Sequence, residues 1–384
     1  MKGGWREALI IALAFGLVVR VALIFQTPFD QPVQVGKLSA YNDEVAHVAY
    51  TQHILRTGSL PSNGEPIADW LAGATPSFEN YQSPFYYILH ALACKLVTAG
   101  DADAIAFVGR WLSLACWIGI LVVAWQLCDE LVGGRGGAIH SATIILLSLS
   151  GVMARFSTQA GNEALAWLVA GVISLACLRS LEVRRPSTLA AIATLFVIGL
   201  YVKASLLLVA PFVLYTLFIV SDKSPARFAL TLLAIAIALA PLAWRNVEHF
   251  GGFLPLSAGF GAALWHWPSA TFLSYFTRSA IFPWSELWGG AKGGVLMLPG
   301  LVLLTAVVGG IFRRRVQSPL MMLFALTVLC GFLWLNLRYD QAEGRYLFVA
   351  WPAIAIGIAN LPVRLQSPWL FLLIFTLPYL LFVV

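Results

Sequence analysis

Charge is what this sequence has least of. Asp, Glu, Lys and Arg together make up 11% of its 384 residues, against 60% apolar residues, and the mean hydropathy is +0.83. A soluble domain of this length has no interior large enough for that much apolar surface, so lipid is the solvent. Paired cysteines are also missing. Cys94, Cys116, Cys128, Cys177 and Cys330 each stand alone in an apolar stretch. This excludes a Cys-x-x-Cys redox or zinc element and reads as small buried hydrophobes. The chain has no P-loop, dinucleotide fingerprint, internal repeat or low-complexity tract, and nucleic acid is not among the expected partners. No small-x-small cleavage site follows the first apolar run, which closes Leu23-Ile24-Phe25-Gln26. That run is read as a retained helix, and no soluble domain is expected at either terminus.

Apolar runs fit to cross a bilayer fall near 7–26, 105–128, 138–155, 162–180, 187–202, 204–220, 228–244, 295–312, 319–335, 346–361 and 367–384. The expected fold is therefore an all-α polytopic membrane protein, a single transmembrane unit over 1–384 with about eleven spans. The segment 84–99 is ambiguous, because it is short, begins at Pro84 and carries His90 and Lys95. If it does not cross, Lys2, Arg6, Arg135, Arg179, Arg184, Arg185, Lys223, Arg227, Arg313 to Arg315 and Arg364 all face one side, as the positive-inside rule asks. It is read as a helix along the outer interface, with Tyr86 and Tyr87 suited to that depth. Two long outer loops follow, 27–104 and 245–294, both too long for plain connectors. The first carries Asp30, Asp43, Glu44, Glu65, Asp69, Glu79, Asp101 and Asp103 against three bases.

Within that first loop, Tyr41-Asn42-Asp43-Glu44-Val45-Ala46-His47 is the feature hydrophobicity does not explain. On a helix, Asp43 and His47 share a face four residues apart. Adjacent carboxylates repel, and this lifts one of them toward a useful general-base range. The alternative is a solvated loop with ordinary charges. Asp-Glu-x-x-His also resembles a zinc-protease helix without its first His, but one His is too few for that site. No metal is expected; a hard divalent cation on Asp43 or Glu44 is the one cofactor the residues leave open.

Lys203, Arg155, Arg245 and Arg345 fall at the outer ends of spans, where ionisable groups are costly and tend to be functional. Several cations at one level suit a phosphate; snorkelling to headgroups is the plainer explanation. Arg20, inside the first span, is a candidate partner for a carboxylate. Glu163 opens the fourth span, either as a partner for an Arg or as an acid favoured by the helix dipole. Trp265, Trp267, Trp284 and Trp288 fit an aromatic belt better than a sugar platform.

Taken in order, these residues resemble the C-type (GT-C) membrane glycosyltransferases. The likeness is to the superfamily of dolichyl-phosphate-mannose–protein mannosyltransferases and aminoarabinose transferases. It rests on Asp43-Glu44 with His47 in the first outer loop and on Tyr81-Gln82-Ser83-Pro84-Phe85-Tyr86-Tyr87, similar to a Pro-Pro-Leu-Tyr-Tyr segment. Arg110, Asn162-Glu163, Lys203 and Glu343-Gly344-Arg345-Tyr346 also have counterparts. Ser83 replaces a proline, Glu163 stands where Asp is usual, and no carboxy-terminal soluble domain is expected. The resemblance implies a polyprenyl-phosphate-linked sugar as donor, with a glycan, lipid or protein as acceptor. It implies Asp43 as the base, with Glu44 assisting or positioning the acceptor. Lys203 and Arg345 would hold the lipid phosphate, and His47, Arg155, Glu163, Arg245 and Tyr346 would line the substrate site. The implied place is a bacterial inner membrane, with the N-terminus cytoplasmic and the site periplasmic.

Three other readings compete. A secondary transporter places charges at the midplane on broken helices, whereas the charges here gather toward span ends. A non-catalytic component of a cell-envelope glycan pathway would tolerate loss of Asp43. A membrane hydrolase or ligase would release free sugar or a pyrophosphate-linked product.

Overall fold

The structure is a computed structural model that describes residues 4–27, 42–63, 79–132, 137–182, 185–253, 319–338, 348–353 and 367–383. Among these residues every regular element is helical. Helices α1 (Trp5–Gln26), α2 (Asn42–Thr57), α3 (Phe85–Leu96), α4 (Ala102–Val132), α5 (Gly137–Leu149), α6 (Gly151–Phe156), α7 (Glu163–Glu182) and α8 (Pro186–Val202) come first. A 3₁₀ segment, Ala204–Val209, then leads into α9 (Ala210–Val220), α10 (Pro225–Phe250), α11 (Pro319–Arg338) and α12 (Pro368–Val383). Among the described residues, four helices are long and apolar enough to cross a membrane: Trp5–Gln26, Ala102–Leu131, Glu163–Leu181 and Pro225–Phe250. The chain is an integral membrane protein, and its fold is an all-helical polytopic bundle.

The expected span 138–155 is two helices. The break falls at Ser150, which sits at φ −59°, ψ 125° with its Oγ accepting from the Met153 amide at 3.4 Å. Such a break orphans the last carbonyls of α5. Arg20 in α1 takes them up. It donates through Nη1 to Ser148 O at 2.7 Å and to Gly16 O at 2.9 Å, and through Nη2 to Leu147 O at 3.3 Å, while its Nε reaches Ser157 Oγ at 2.8 Å. The guanidinium lies 4.0 Å over the Trp117 ring. The partners of Arg20 are thus carbonyls and a hydroxyl at a helix C-terminus, where the dipole favours a cation, and not the carboxylate the sequence suggested. Gly16 makes the fit possible, since a Cβ there would stand 2.7 Å from Ser148 O.

Helices α4 and α7 form the centre, with α8 and α9 against α7 and α5 against α1. Tyr50, Tyr87, Trp167, Phe212, Phe324 and Trp351 lie in one buried cluster. Trp351 Nε1 donates to Trp167 O at 2.8 Å, which anchors residues 348–353 beside the first turns of α7. Of the five cysteines four are buried as expected; Cys330, on α11, is exposed. A lone thiol behaves as a small hydrophobe, so an outward position on an apolar helix suits it equally.

The chain returns to the same end of the bundle after 27–104. Arg110, in the third turn of α4, donates to Thr27 O at 2.8 Å and Ile24 O at 3.1 Å at the end of α1. Helices α2 and α3 therefore sit at that end, beside the start of α4. The opposite end is marked by the Arg179–Glu130 pair at 2.7 Å and the His140–Asp129 pair at 2.8 Å.

Candidate functional site

Five helix ends meet where α1 finishes: the N-termini of α2, α4 and α7 and the C-termini of α8 and α10. Asp43 and Glu44 open α2, where the helix dipole favours acids. Their side chains then part. Glu44 is buried and points into the bundle. Its Oε1 accepts from Arg110 Nε at 2.8 Å and from the Ala160 amide at 2.9 Å, and its Oε2 from Arg110 Nη2 at 2.9 Å. This bidentate pair joins α1, α2, α4 and the α6–α7 connection. Glu44 was expected to assist catalysis or position the acceptor; both its oxygens are instead committed to holding the site's walls together. Asp43, by contrast, is half-buried.

His47, one turn along α2, is buried. Its Nδ1 lies 2.6 Å from Tyr87 Oη and its Nε2 4.0 Å from Glu163 Oε2. Glu163, the first residue of α7, has its Oε1 2.6 Å from Lys203 Nζ, which also donates to Asn162 Oδ1 at 3.0 Å. Lys203 owes its place to a backbone break. It adopts φ −158°, ψ 132° between α8 and the 3₁₀ segment, with its own amide capping α8 at Gly199 O. Asn162 continues the chain of contacts, donating through Nδ2 to Gln82 Oε1 at 3.1 Å. The structure thus brings together His47, Glu163 and Lys203, three residues chosen from the sequence, with Asp43 one turn before His47 on α2.

Arg245 is in the same neighbourhood with a different set of partners. Its Nη2 donates to Asn80 O at 2.8 Å, Tyr50 Oη at 3.1 Å and Pro61 O at 3.3 Å, and its Nη1 to Gln82 O at 3.4 Å. Helix α10 is stopped just beyond it by Gly251 at φ 74°, whose amide bonds back to Val247 O at 3.1 Å. The guanidinium therefore clamps the 79–82 strap of the first loop onto the bundle. Tyr50, stacked on Tyr87 with centroids 3.8 Å apart, completes the clamp. Burial pushes the Tyr50 phenol up to about 12, with Arg245 opposing the rise, so it stays protonated. Arg155 is buried in α6 with its guanidinium 5.8 Å from the Phe156 ring. Arg345, Tyr346 and the four tryptophans of 245–294 lie outside the described residues.

Glu79 is the residue that sequence reasoning passed over, one of eight loop acids without a motif. It is buried at 7% exposure. Loss of hydration raises its carboxyl pKa. His47 opposes the rise, the Asp43 charge reinforces it, and Lys203 and a hydrogen bond from Gln82 oppose it more weakly. The one signal available was its place just ahead of Tyr81-Gln82-Ser83-Pro84. Among the described residues no group of three His, Cys, Asp or Glu side chains is arranged to hold a metal ion.

A second histidine supports the wall of the site. His90 Nε2 lies 2.8 Å from Ile105 O, so it carries the proton, and Nδ1 accepts from Thr51 Oγ1 at 3.0 Å. Gly109 leaves room for the ring, since a Cβ there would stand 2.6 Å from His90 Cε1. Burial lowers the His90 pKa from 6.5 to about 4. The folded state thus prefers the neutral ring. This stability is fully present above 6.5 and is lost as pH falls toward about 4. Thermal unfolding should show a loss of up to roughly 3 kcal/mol across that window. His90→Gln should flatten the dependence; an unchanged curve would remove His90 as its source.

No family model and no curated protein matches the chain. Solved structures do. The chain is similar to ArnT from Cupriavidus metallidurans in the apo state, at 16% identity and TM-score 0.55, over 92% of this chain and 60% of that one. It is likewise similar to the same protein bound to undecaprenyl phosphate, at 16% identity and TM-score 0.59, over 95% of this chain and 62% of that one. A further match is the archaeal oligosaccharyltransferase AglB from Archaeoglobus fulgidus in complex with an inhibitory peptide and a dolichol-phosphate. There the identity is 12% and the TM-score 0.55, over 93% of this chain and 50% of that one. The chain thus spans about 60% of the length of the ArnT structures it matches. Both neighbours are C-type glycosyltransferases, and the fold of this chain is theirs.

Proposed function

We propose that this chain is an inverting glycosyltransferase. It would move a sugar from a polyprenyl-phosphate-linked donor to a glycan, lipid or protein acceptor at the outer face of a bacterial inner membrane. The observation that carries the reading is the linked set Lys203–Glu163–His47: Lys203, from a helix break far along the chain, pairs with Glu163 at 2.6 Å, and Glu163 lies 4.0 Å from His47, one turn along α2 from Asp43. A candidate base and a candidate phosphate-binding cation therefore share one site at one end of the bundle. The fold neighbours support the donor class: one was solved with undecaprenyl phosphate and another with a dolichol-phosphate.

In this reading Asp43 takes the proton from an acceptor hydroxyl or amine. The freed oxygen or nitrogen forms a bond to the anomeric carbon from the face opposite the phosphate. The carbon–oxygen bond to phosphate breaks, its electron pair leaves with polyprenyl phosphate, and the anomeric centre inverts. A phosphate leaving group needs charge stabilisation more than a proton, so one base with cations nearby covers the chemistry. Lys203 is one such cation, held ready by Glu163 and Asn162. Arg345 would be the other, as the sequence resemblance implies; it lies outside the described residues. No cofactor is assigned; a rate that depends on added Mg²⁺ would place a cation on Asp43.

The test is turnover in proteoliposomes with a polyprenyl-phosphate-linked sugar. Transfer should release polyprenyl monophosphate. Release of free sugar alone would make the chain a hydrolase, and uptake of a soluble substrate without release would make it a transporter. Arg345→Ala should raise the KM for donor more than that for acceptor; equal donor affinity in the variant would remove Arg345 from the phosphate.

A further inference from the structure

His47 carries no step of the reaction as written, yet both of its ring nitrogens are directed. Nδ1 lies 2.6 Å from Tyr87 Oη, the one hydrogen-bond contact of that phenol among the described residues. Tyr87 is not free to turn away. Its ring is stacked on Tyr50 with centroids 3.8 Å apart, and Tyr50 Oη accepts from Arg245 Nη2 at 3.1 Å. A buried hydroxyl needs an acceptor for its proton, so Tyr87 donates and Nδ1 accepts. The hydrogen bond made by one ring nitrogen decides the state of the other. The His47 proton therefore sits on Nε2, the nitrogen that faces Glu163 Oε2 at 4.0 Å. Gly161 keeps the space between them clear, since a Cβ there would stand 3.1 Å from Glu163 Oε2 and 3.2 Å from His47 Cδ2.

The same carboxylate aims a cation. An ammonium has three N–H donors; those of Lys203 reach Glu163 Oε1 at 2.6 Å and Asn162 Oδ1 at 3.0 Å. With two donors directed, the line of the remaining one is set. Asn162 is itself held, donating to Gln82 Oε1 at 3.1 Å. Lys203 is the most open of the linked side chains, 14% exposed against 11% for Glu163 and 5% for His47, so it is the one an incoming anion meets. We infer that His47 is a positioning residue for donor binding: Tyr87 fixes its tautomer, its Nε2–H braces Glu163, and Glu163 with Asn162 aims the remaining N–H of Lys203 at the donor phosphate. The inference rests on the reading of Lys203 as a phosphate-binding cation. At 4.0 Å the Nε2–Oε2 contact is too long for a hydrogen bond. It closes when a phosphate draws on Lys203 and less of the ammonium charge is left for the buried carboxylate. Contacts in such sites commonly tighten only once substrate is bound. Without the Nε2–H, Glu163 draws Lys203 back from the phosphate, because a buried carboxylate is costly to leave unbalanced.

Two replacements separate the two nitrogens. Asparagine at position 47 places a polar group near the Nδ1 position, and glutamine places one near the Nε2 position. With undecaprenyl phosphate as the probe and the full chain in nanodiscs, His47→Asn should weaken binding about tenfold. His47→Gln should recover most of that loss. In transfer assays the KM for donor should follow the same order, with kcat and the KM for acceptor moving less. Because the effect runs through Lys203, His47→Asn should add little in a Lys203→Met background. Tyr87→Phe keeps the ring that stacks on Tyr50, and it should weaken probe binding in the same direction; it decides the matter if His47→Asn does not fold. In ¹⁵N-histidine spectra the signals that His47→Gln removes should show the wild-type proton on Nε2 alone, and a shift toward Nδ1 in Tyr87→Phe. Glutamine as weak as asparagine, a His47→Asn loss undiminished in Lys203→Met, unchanged binding in Tyr87→Phe, or a wild-type proton on Nδ1 overturns the inference. Wild type that binds no undecaprenyl phosphate overturns the donor reading instead, while the tautomer signals need no donor and still decide the Tyr87–His47 pair.

Discussion

Asp43→Asn is expected to lower the rate of sugar transfer by two to four orders of magnitude, the usual share of a general base, with donor affinity little changed. That corresponds to about 3 to 5 kcal/mol of barrier. The substitution is nearly isosteric and removes one charge from a half-buried position at the start of α2. The fold should therefore tolerate it, and thermal unfolding should stay close to wild type. The measurement is a paired one, polyprenyl monophosphate release and melting temperature on the same preparation. Transfer that persists in Asp43→Asn would take the base away from this residue. A collapse of both transfer and stability would show Asp43 as a structural acid instead.

Glu44→Gln, one residue along, is expected to behave in the opposite way. It leaves the Arg110 guanidinium buried without its counter-charge, and breaking a buried pair by removing one partner costs about 3 to 5 kcal/mol. The loss should appear as a marked drop in melting temperature in detergent, and any fall in transfer should track the fraction unfolded. The double replacement Glu44→Gln with Arg110→Met should recover part of that stability, because no orphaned charge remains. If Glu44→Gln melted like wild type yet lost transfer, Glu44 would belong with the chemistry and not with the frame. The two neighbours differ because a helix turns about 100° per residue. One side chain enters the bundle, where Arg110 and the Ala160 amide wait, while the other remains half-buried.

Composition and hydrophobic run length alone determined that this chain lives in lipid as a helical bundle. Where lipid supplies no hydrogen bonds, a low-charge sequence has few other folds open to it. They also marked the rare charges worth following, since an ionisable group in such a chain is costly to keep. Asp43, His47, Glu163 and Lys203 were legible in this way, as was the start of α7 at Glu163. What each charge is for was decided only by tertiary contacts. Arg20 was read as a carboxylate's partner and proved to cap the broken end of α5, a break set by Ser150 inside an unbroken apolar run. Arg245, read as a phosphate ligand, directs its Nη donors to Tyr50 Oη and to the carbonyls of Pro61, Asn80 and Gln82. Glu79 carried no motif, and its burial depends on a clamp from a helix far along the sequence. The physical reason is common to all three. The cost of burying a charge is a property of the residue and is visible in the sequence. The group that offsets this cost arrives from another helix, and only the packing of the bundle says which one.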